Sequence, residues 1–524
     1  MSDFELSLQA LIATRAREMP DGVALRHTEG SSLNWQSFLE GSLAMADALQ
    51  MAGVRESETV ASMFPNSIDA AIAWAGCGWL GAIEAPINTS FRLDWLAHAF
   101  NLNGARMLLA HREFLPAVWE IERRLEHLEM IVVFGGMPDT LPQTGLRIMT
   151  AEEFLSQASP RERPVPGLWD TAALIMTSGT TGPSKAVVIP WGQLAAGSNI
   201  DWGVPVESEV IYSPFPPYHI SGKGPVYMAA RHPGSRAILA PRMSASEYWP
   251  HINDYGCTQA VMLGPMAEFL MSQPPRDDDA ANPLKRVLMA PVIKDIEAFV
   301  KRFDVNVFTC YNMTETSMPL VSGREALFGE GITSCGKARP GVEARLVDEN
   351  DLEVPPNTPG ELILRTEPWE MNQGYWRMPE ESFKAWRNGW FHTGDTFIRD
   401  EEGRFYFADR KKDYIRRRGN NISSFEVEAC VNQHPEVIES CAVAVASEIN
   451  EDEVKIAVVL TPDSSLEPHA LLEFLRTRMP DFALPRYIEF LPELPKTQAT
   501  LRIQKARIRD AGVTADTWDS ADAG

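Results

Sequence analysis

Short apolar segments typical of β-strands alternate with helix-like segments from about residue 20 to residue 310. In the first part of the chain, strand-like residues 59–64 precede an apolar helix-like run at 70–83, and further strand-like segments follow at 107–110 and 130–134. Two parallel strands need a long crossover connection, and a helix is the usual one. The alternation therefore predicts an α/β fold in which helices cover sheets rich in parallel strands.

The pattern changes twice in the second half of the chain. From residue 341, short alternating strands predict a small antiparallel sheet or barrel, still within a large N-terminal domain at residues 1–408. A highly charged junction follows at residues 409–413, and beyond it lies a separate α+β pattern. We therefore expect a domain boundary near residue 409 and a small C-terminal domain at residues 412–524.

Composition narrows the possible environment and partners. The formal net charge of −23 argues against nucleic acid or an anionic membrane as the main partner. The six cysteines form no CxxC pair and the ten histidines form no HxxxH pair, so neither a disulfide framework nor a zinc site is predicted. The N-terminus lacks the features of a signal peptide, and the apolar run at 70–83 is too short to cross a bilayer. We expect a cytoplasmic protein without stable membrane insertion.

Residues 177–185 (TSGTTGPSK) form a polar loop between two strand-like runs. Glycines let backbone N–H groups approach an anion, hydroxyl groups add donors, and the final residue, Lys185, adds a positive charge. The loop is not a Walker A motif, in which the lysine directly follows the second glycine. The pattern predicts a phosphate-binding loop, and the alternative is an ordinary Ser/Thr/Gly hairpin loop on the surface.

This loop and five later segments resemble, in order and spacing, the signature motifs of the adenylate-forming superfamily of acyl-CoA synthetases, adenylation domains and luciferases. The later segments are residues 311–316 (YNMTET), 389–395 (GWFHTGD), 409–413 (DRKKD), 419–423 (GNNIS) and 495–497 (PKT). The whole chain is similar to free-standing acyl-CoA synthetases, particularly those of the carnitine/crotonobetaine and medium-chain acid type. The resemblance implies a hinge at residues 409–411 and a mobile C-terminal lid.

The resemblance also implies an ATP site with Mg²⁺. Lys185 and its loop match the grip on the β- and γ-phosphates, Tyr311 matches the residue that stacks on adenine, and Glu315 matches the Mg²⁺ ligand, with Thr316 facing the phosphates. Asp395 matches the carboxylate that accepts the ribose hydroxyls. The positions that match this nucleotide site are Thr177, Ser178, Gly179, Thr180, Thr181, Gly182, Lys185, Ala290, Pro291, Tyr311, Asn312, Met313, Thr314, Glu315, Thr316, Asp395 and Arg410. Asn312 stands where the family commonly has glycine, so we expect a reshaped acyl pocket.

A basic cluster between residues 410 and 418 is the expected seat of CoA. By resemblance, this segment swings into the active site for thioester formation, with Arg418 among the contacts and the Gly419 backbone lining the pantetheine tunnel. His219 matches a position near the acyl pocket that acts in gating or in the thioester step. Lys223, four residues later, is a candidate partner for a second carboxylate on the substrate.

The clearest departure from the family lies near the C-terminus, where a lysine usually follows the PKT motif and bridges the substrate carboxylate and the α-phosphate. Here the positions that compete for that role are Leu501 and Arg502, depending on the direction of counting. Arginine keeps the charge but is planar and forked, so the exchange is not conservative. Three alternatives follow for the adenylation step. The step is slower, Arg502 takes the role of the family lysine, or Lys496 or Lys505 takes that role.

The resemblance implies an ATP-dependent acid–CoA ligase that forms an acyl-adenylate and then acyl-CoA, AMP and pyrophosphate. The predicted catalytic residues are Thr177, Lys185, His219, Glu315 and Arg502. Two alternatives stay open: an adenylating enzyme that passes the acyl group to an amine or a carrier thiol, and a binding homologue that has lost catalysis. Candidate pocket segments at 202–206, 219–223, 262–266, 289–293 and 312–318 mix aromatic, Met and polar residues, which is consistent with a small or medium acid. A homodimer is compatible with the sequence, which leaves the oligomeric state open.

Overall fold

The computed structural model describes residues 6–177, 184–200, 208–322, 334–410, 415–417, 420–422, 424–446, 452–479, 483–497 and 503–521. The chain divides into two compact units, one made of Met1–Glu343 with Arg365–Phe391 and the other of Ala344–Leu364 with His392–Gly524. This division groups residues 344–364 and 392–408 with the C-terminal part of the chain. The boundary at residue 408 and the hinge at 409–411 stay predictions.

The helices, numbered in chain order, are α1 (Leu8–Glu18), α2 (Trp35–Met51), α3 (Ile68–Leu80), α4 (Leu93–Asn103), α5 (Leu115–Ile121), α6 (Ala151–Leu155), α7 (Trp191–Gly197), α8 (Ile220–Arg231), α9 (Tyr248–Asp254), α10 (Gly264–Met271), α11 (Ile296–Phe303), α12 (Pro379–Ala385), α13 (Ser424–Val431), α14 (Pro468–Arg476) and α15 (Lys505–Ala511).

The strands of the first half are β1 (Val23–His27), β2 (Ser32–Asn34), β3 (Thr59–Met63), β4 (Ile83–Pro86), β5 (Met107–His111), β6 (Met130–Phe134), β7 (Arg147–Thr150), β8 (Thr171–Thr177), β9 (Lys185–Pro190), β10 (Val210–Ser213), β11 (Arg236–Leu239), β12 (Gln259–Met262), β13 (Arg286–Met289), β14 (Asn306–Tyr311), β15 (Leu320–Ser322) and β16 (Lys337–Ala338). The later strands are β17 (Glu343–Val347), β18 (Gly360–Arg365), β19 (Trp386–Arg387), β20 (Trp390–Arg399), β21 (Phe405–Arg410), β22 (Ile415–Arg417), β23 (Asn420–Ile422), β24 (Val437–Ala446), β25 (Asp452–Leu460), β26 (Tyr487–Phe490) and β27 (Trp518–Asp519).

A seven-stranded sheet in the first unit has the order β7-β6-β5-β3-β4-β8-β9, and only its β8–β9 pair is antiparallel. The apolar run predicted at 70–83 forms α3, the crossover between β3 and β4. Ser67 caps this helix by accepting the Ala70 N–H at 3.3 Å, and Gly81 ends it with a left-handed φ of 74°. The helix α3 is apolar on all sides and mostly buried, as expected of a helix that covers a sheet. Because the strands β3 and β4 that it connects are parallel, the predicted βα arrangement is confirmed here.

A nine-stranded sheet in the same unit has the order β16-β15-β14-β13-β12-β10-β11-β1-β2. The strands from β1 to β14 along this path are parallel, while β2, β15 and β16 pair antiparallel at the two ends. Ligands of parallel sheets bind outside the carboxyl ends of the strands. The segments that follow β10, β12, β13 and β14 therefore share one edge of the sheet, and they include four of the five predicted pocket segments.

The second unit contains a sheet in which β18 lies between β17 and β20, and β21 pairs antiparallel with β20. Beyond it, β22 and β23 form a hairpin, and β24-β25-β26-β27 form a four-stranded sheet. The α/β fold with a small C-terminal α+β part is thus confirmed. Within the described ranges, no helix has both the length and the apolar composition needed to cross a bilayer.

Candidate active site

The predicted phosphate loop is closed by the antiparallel pair β8–β9. Lys185 begins β9 directly opposite Thr177 at the end of β8, and the Thr177 hydroxyl donates to the Lys185 carbonyl oxygen at 3.4 Å. Residues 178–183, which include the predicted Ser178, Gly179, Thr180, Thr181 and Gly182, lie outside the described residues. The structure therefore brings the two ends of the predicted loop side by side.

The Lys185 ammonium lies between a carboxylate and an aromatic ring. Its Nζ donates to Glu381 Oε2 at 2.6 Å and lies 4.7 Å from the centre of the Tyr375 ring. Glu381 also accepts from Lys384 Nζ at 2.8 Å. The hydrogen bond from Lys185, followed by that from Lys384, lowers the pKa of Glu381 to about 2, so this carboxylate is ionised at neutral pH.

Glu315, the predicted Mg²⁺ ligand, is buried and held from two sides. The Tyr375 hydroxyl donates to Glu315 Oε1 at 3.0 Å, while the Glu315 carbonyl oxygen accepts the Asn372 backbone N–H at 3.1 Å and its side-chain amide at 2.9 Å. Burial, and then the neighbouring Glu315 charge, raise the pKa of Tyr375 far above its ordinary value. Tyr375 therefore stays protonated and donates to the carboxylate.

Magnesium prefers oxygen ligands and usually takes one or two protein carboxylates together with phosphate oxygens. Among the described residues, no three His, Cys, Asp or Glu side chains converge as a metal site. A single carboxylate, held at a fixed position by Tyr375, fits a Mg²⁺ ion shared with nucleotide phosphates. Glu315 is therefore chemically suited to the ligand role that the sequence predicts.

The turn after β14 is fastened by its own side chains. The Asn312 carboxamide oxygen accepts from the Thr316 hydroxyl at 3.0 Å and from the Met318 N–H at 2.8 Å, and Thr316 Oγ1 accepts the Met313 N–H at 3.1 Å. Gln193 Nε2 donates to the carbonyl oxygens of Thr314 and Thr316, each at 2.8 Å. The Thr316 side chain is fully buried, so in this structure its hydroxyl holds the turn rather than facing open space.

The other predicted adenine-side residues lie at neighbouring strand ends. Tyr311 is the last residue of β14, is mostly buried, and its hydroxyl donates to Met313 Sδ at 3.4 Å. Ala290 and Pro291 directly follow β13, and the Ala290 N–H donates to the Met262 carbonyl oxygen at 3.1 Å. These residues therefore share the sheet edge where a ligand is expected.

His219 lies at the N-cap of α8, after β10 at the same edge. Its Nε2 is buried and has no hydrogen-bond partner among the described residues. Burial lowers the pKa of the His219 imidazole to about 4, so the ring is neutral at pH 7. A buried polar atom without a partner is costly, and a bound ligand is one way to satisfy it.

Lys223 does not have the role that we suggested from the sequence. Its ammonium donates to Glu84, which also accepts from the Ser62 hydroxyl at 2.7 Å, and it lies 4.2 Å from the centre of the Trp74 ring. The side chains of Lys223 and Glu84 are 4% and 1% exposed. Lys223 is therefore paired with a carboxylate of the protein itself, so it is not available to a carboxylate of the substrate.

In the second unit, Asp395 lies on β20 in a closely bonded segment. The Asp395 N–H donates to Thr393 Oγ1 at 3.1 Å, and the Thr393 hydroxyl donates to the Leu362 carbonyl oxygen at 2.7 Å. Glu361 accepts the Gly394 N–H at 3.1 Å and lies 3.3 Å from His392 Nδ1. Glu361 and Thr393 therefore fix the backbone on both sides of Gly394, next to the predicted ribose ligand.

Only part of the predicted CoA segment can be described. Arg410 is the last residue of β21 and is paired in register with Asp395, while Arg418 and Gly419 lie outside the described residues. Arg417, one of the basic residues of this cluster, is paired within the protein. Its Nε lies 2.6 Å from Glu453 Oε2, and its Nη1 donates to the Leu484 carbonyl oxygen at 2.8 Å, so this guanidinium is a buried structural group.

The structure describes residues on both sides of the position where the family has its lysine. Lys496 and Ile503 make an antiparallel bridge, and Arg502 lies outside the described residues. Lys496 Nζ is 2.6 Å from Glu439 Oε2, and Lys505 Nζ is 3.0 Å from Glu428 Oε1. Both lysines suggested as substitutes are thus engaged in ion pairs of the second unit.

Sequence reasoning missed Tyr375, Glu381 and Glu361. Tyr375 is 60 positions from Glu315, and Glu381 is 196 positions from Lys185. Contacts at such separations leave no periodic pattern in one sequence. The nearest available signal was the position of residues 372–382 just before the predicted motif at 389–395.

Comparisons with known proteins agree with the motifs. The AMP-binding enzyme family model matches residues 12–376, and the model of the AMP-binding enzyme C-terminal domain matches residues 426–500. The crotonobetaine/carnitine–CoA ligase of Salmonella arizonae is 29% identical over 478 residues, covering 88% of this chain and 90% of that protein. The enzyme with the same name from Citrobacter koseri is 28% identical over 500 residues, covering 93% and 94%.

Solved structures show the same fold at lower identity. The anthranilate CoA ligase AuaEII in complex with anthranoyl-AMP aligns with a TM-score of 0.84 at 24% identity, covering 100% of this chain and 99% of that one. ATP-bound MatB from Rhodopseudomonas palustris aligns with a TM-score of 0.83 at 22% identity, covering 96% and 99%. Since the AMP-binding model alone matches more than half of the residues, this chain belongs to the family of AMP-binding, adenylate-forming enzymes.

Proposed function

We propose that this enzyme is an ATP-dependent acid–CoA ligase. In the first step a carboxylate oxygen of the acid attacks the α-phosphorus of ATP, the new bond gives an acyl-adenylate, and pyrophosphate leaves. In the second step the CoA thiolate attacks the acyl carbonyl carbon, and AMP leaves. The observation that carries the proposal is that Lys185 and Glu315 both contact Tyr375, the ammonium at its ring and the carboxylate at its hydroxyl.

Phosphoryl chemistry of this kind needs positioning and charge neutralisation more than covalent help from the protein. Lys185 supplies a positive charge at the end of the phosphate loop. Glu315 supplies the carboxylate for Mg²⁺, which neutralises phosphate charge when bound. Tyr375 orients Glu315 by its hydrogen bond, as partners of metal ligands commonly do.

We assign the ribose contacts to Asp395 and Arg410, and the adenine contact to Tyr311. The support for Asp395 is its fixed backbone, which Thr393 and Glu361 hold by hydrogen bonds at 3.1 Å. An aspartate that accepts two ribose hydroxyls must keep its orientation, and hydrogen-bonded supports reduce the entropy lost on binding. Mutation of Asp395 should therefore raise the KM for ATP more than it lowers kcat.

We assign His219 to the acyl side of the site. A neutral imidazole with a buried, unpartnered Nε2 suits contact with the acid or with the thioester-forming thiol. Arg502 is our proposal for the group that meets the α-phosphate, because it keeps the charge of the usual lysine.

The substrate that we propose is a small or medium carboxylic acid. The pocket segments that the structure describes mix Met, aliphatic and polar residues at one sheet edge, which suits an acid with both polar and apolar parts. Crotonobetaine and carnitine belong first in any panel because they appear in the names of the curated relatives. We also propose that the enzyme acts in the cytoplasm as a homodimer, which size-exclusion chromatography with light scattering would test.

The decisive experiment is pyrophosphate release from ATP and Mg²⁺ with a panel of betaine, aromatic and medium-chain acids, with and without CoA. Mass spectrometry identifies the products. We expect turnover with a good acid to depend on CoA and to give an acyl thioester. Pyrophosphate release that ignores CoA would favour an amine or carrier thiol as acceptor, and ATP binding without turnover of any acid would favour a binding homologue.

A further inference from the structure

Lys185 and Glu381 form a pair that an incoming anion can reach. Their side chains are 29% and 31% exposed, and their charged atoms are 2.6 Å apart. In contrast, Lys223 and Glu84 of the same unit are almost fully enclosed. The ammonium that the proposed function gives to ATP phosphates is therefore already neutralised by a carboxylate at the surface of its site.

Glu381 also pairs with a second cation, Lys384. Lys384, one helical turn later on α12, donates to the other carboxylate oxygen at 2.8 Å, and its side chain is 68% exposed. When Lys185 leaves, Glu381 keeps a positively charged neighbour and regains water. The Lys185–Glu381 pair can therefore open without leaving an isolated buried charge. Another anion can then replace Glu381 beside Lys185.

We propose that Glu381 competes with ATP for Lys185 and thereby sets the affinity of the enzyme for ATP. In the nucleotide-free enzyme Glu381 holds the lysine ammonium, and the ATP phosphates displace it. The inference rests on the proposed function only in the role of Lys185 as a phosphate ligand. It adds a residue that acts against nucleotide binding and that none of the sequence motifs contains.

The size of the effect follows from the exposure of the pair. Partly exposed ion pairs contribute little free energy, which corresponds to a factor of about two to five in an equilibrium constant. Glu381 also repels the phosphate charge after displacement, and this repulsion acts in the same direction. Removing the charge of Glu381 should therefore tighten ATP binding by about two- to fivefold.

The test is isothermal titration calorimetry of the full-length enzyme with MgATP at low and high ionic strength. Glu381→Gln should lower the Kd for ATP by about two- to fivefold at low salt, and the gain should shrink at high salt because salt screens exposed charges. Glu380→Gln is the matched control, since Glu380 is an exposed carboxylate in the same helical turn. Its Kd should stay within error of the wild-type value.

An unchanged or higher Kd in Glu381→Gln would overturn the proposal, because Glu381 would then be neutral or would help to position Lys185. An equal gain in Glu380→Gln would overturn it as well, since the effect would then be one of general surface charge. ATP binding requires neither an acid nor CoA, so this experiment and the panel of acids can fail independently. Circular dichroism melting of each variant shows whether its fold is intact.

Discussion

The buried pair of Lys223 and Glu84 gives the sharpest stability prediction. The perturbation is Lys223→Met, which keeps the length and apolar stem of the side chain but removes its charge. Glu84, 1% exposed, then keeps only the Ser62 hydroxyl as a described partner. A buried carboxylate with one neutral donor is strongly unfavourable, so the substitution should destabilise the first unit.

The magnitude follows from two opposing terms. Unit charges about 3 Å apart attract by about 5–6 kcal/mol at an effective dielectric constant of about 20. Burial of both charges offsets most of this attraction in the intact protein, but removal of one partner leaves the desolvation cost of the other. The expected loss is therefore about 3–5 kcal/mol, in line with other broken buried pairs. In contrast, Ser62→Ala/Glu84→Leu/Lys223→Met removes all three polar groups together and should stay within about 1–2 kcal/mol of the wild type.

The assay is thermal unfolding followed by tryptophan fluorescence, since the Trp74 ring lies 4.2 Å from the Lys223 ammonium. For a large unit, Lys223→Met should lower Tm by roughly 5–10 °C, and the triple variant by far less. If the triple variant is as unstable as the single one, lost packing rather than the stranded carboxylate explains the cost. If Lys223→Met leaves Tm unchanged, the pair is not buried as described, and the reasoning fails.

Three further predictions concern the site. The pKa of His219 is lowered from 6.5 to about 4, so the unfolded chain binds more protons than the folded protein between these pH values. The free energy of unfolding should therefore fall by up to about 3 kcal/mol as the pH drops through this window. His219→Gln should flatten this pH dependence in thermal melts at pH 4–7. Tyr375→Phe should raise the Mg²⁺ concentration for half-maximal pyrophosphate release several-fold, because Glu315 loses its donor at 3.0 Å; an unchanged requirement would separate Tyr375 from the metal. Glu361→Gln should raise the KM for ATP with little change in kcat, because it weakens the support next to Asp395, and a pure loss of kcat would contradict this role.

Much of the fold could be predicted because its signals are local. Residues 70–80 of the apolar run at 70–83 lie in the helix Ile68–Leu80, while Ile83 begins β4. The helix ends at Gly81, whose left-handed φ of 74° glycine adopts easily. The family and the CoA ligase activity were predicted from short motifs whose chemistry demands particular residues, and the comparisons agree. The Asn388-Gly389 turn, with φ of 52° and 76°, is another local signal, since both positions favour a tight hairpin between β19 and β20.

The partners of the site residues could not be predicted, because they come from distant parts of the chain. Lys223 on α8 looked available to a substrate, yet its partner Glu84 lies 139 positions earlier, on β4. Thr316 was expected to face phosphates, but Asn312 draws its hydroxyl into the turn. Each of these outcomes depends on which two elements pack together, and a single sequence contains no measure of that.

The bridge between Lys496 and Ile503 has a practical consequence for protein engineering. Lys496 and Ile503 fix the two ends of the segment that contains Arg502, so the intervening residues can be exchanged as a cassette between these two positions. Loop length affects closure entropy only weakly, so a donor loop one residue shorter should be accepted. Grafting the whole loop from a lysine-bearing relative would therefore change both the loop length and the side chain at the position of Arg502. A point substitution at Arg502 changes only the side chain.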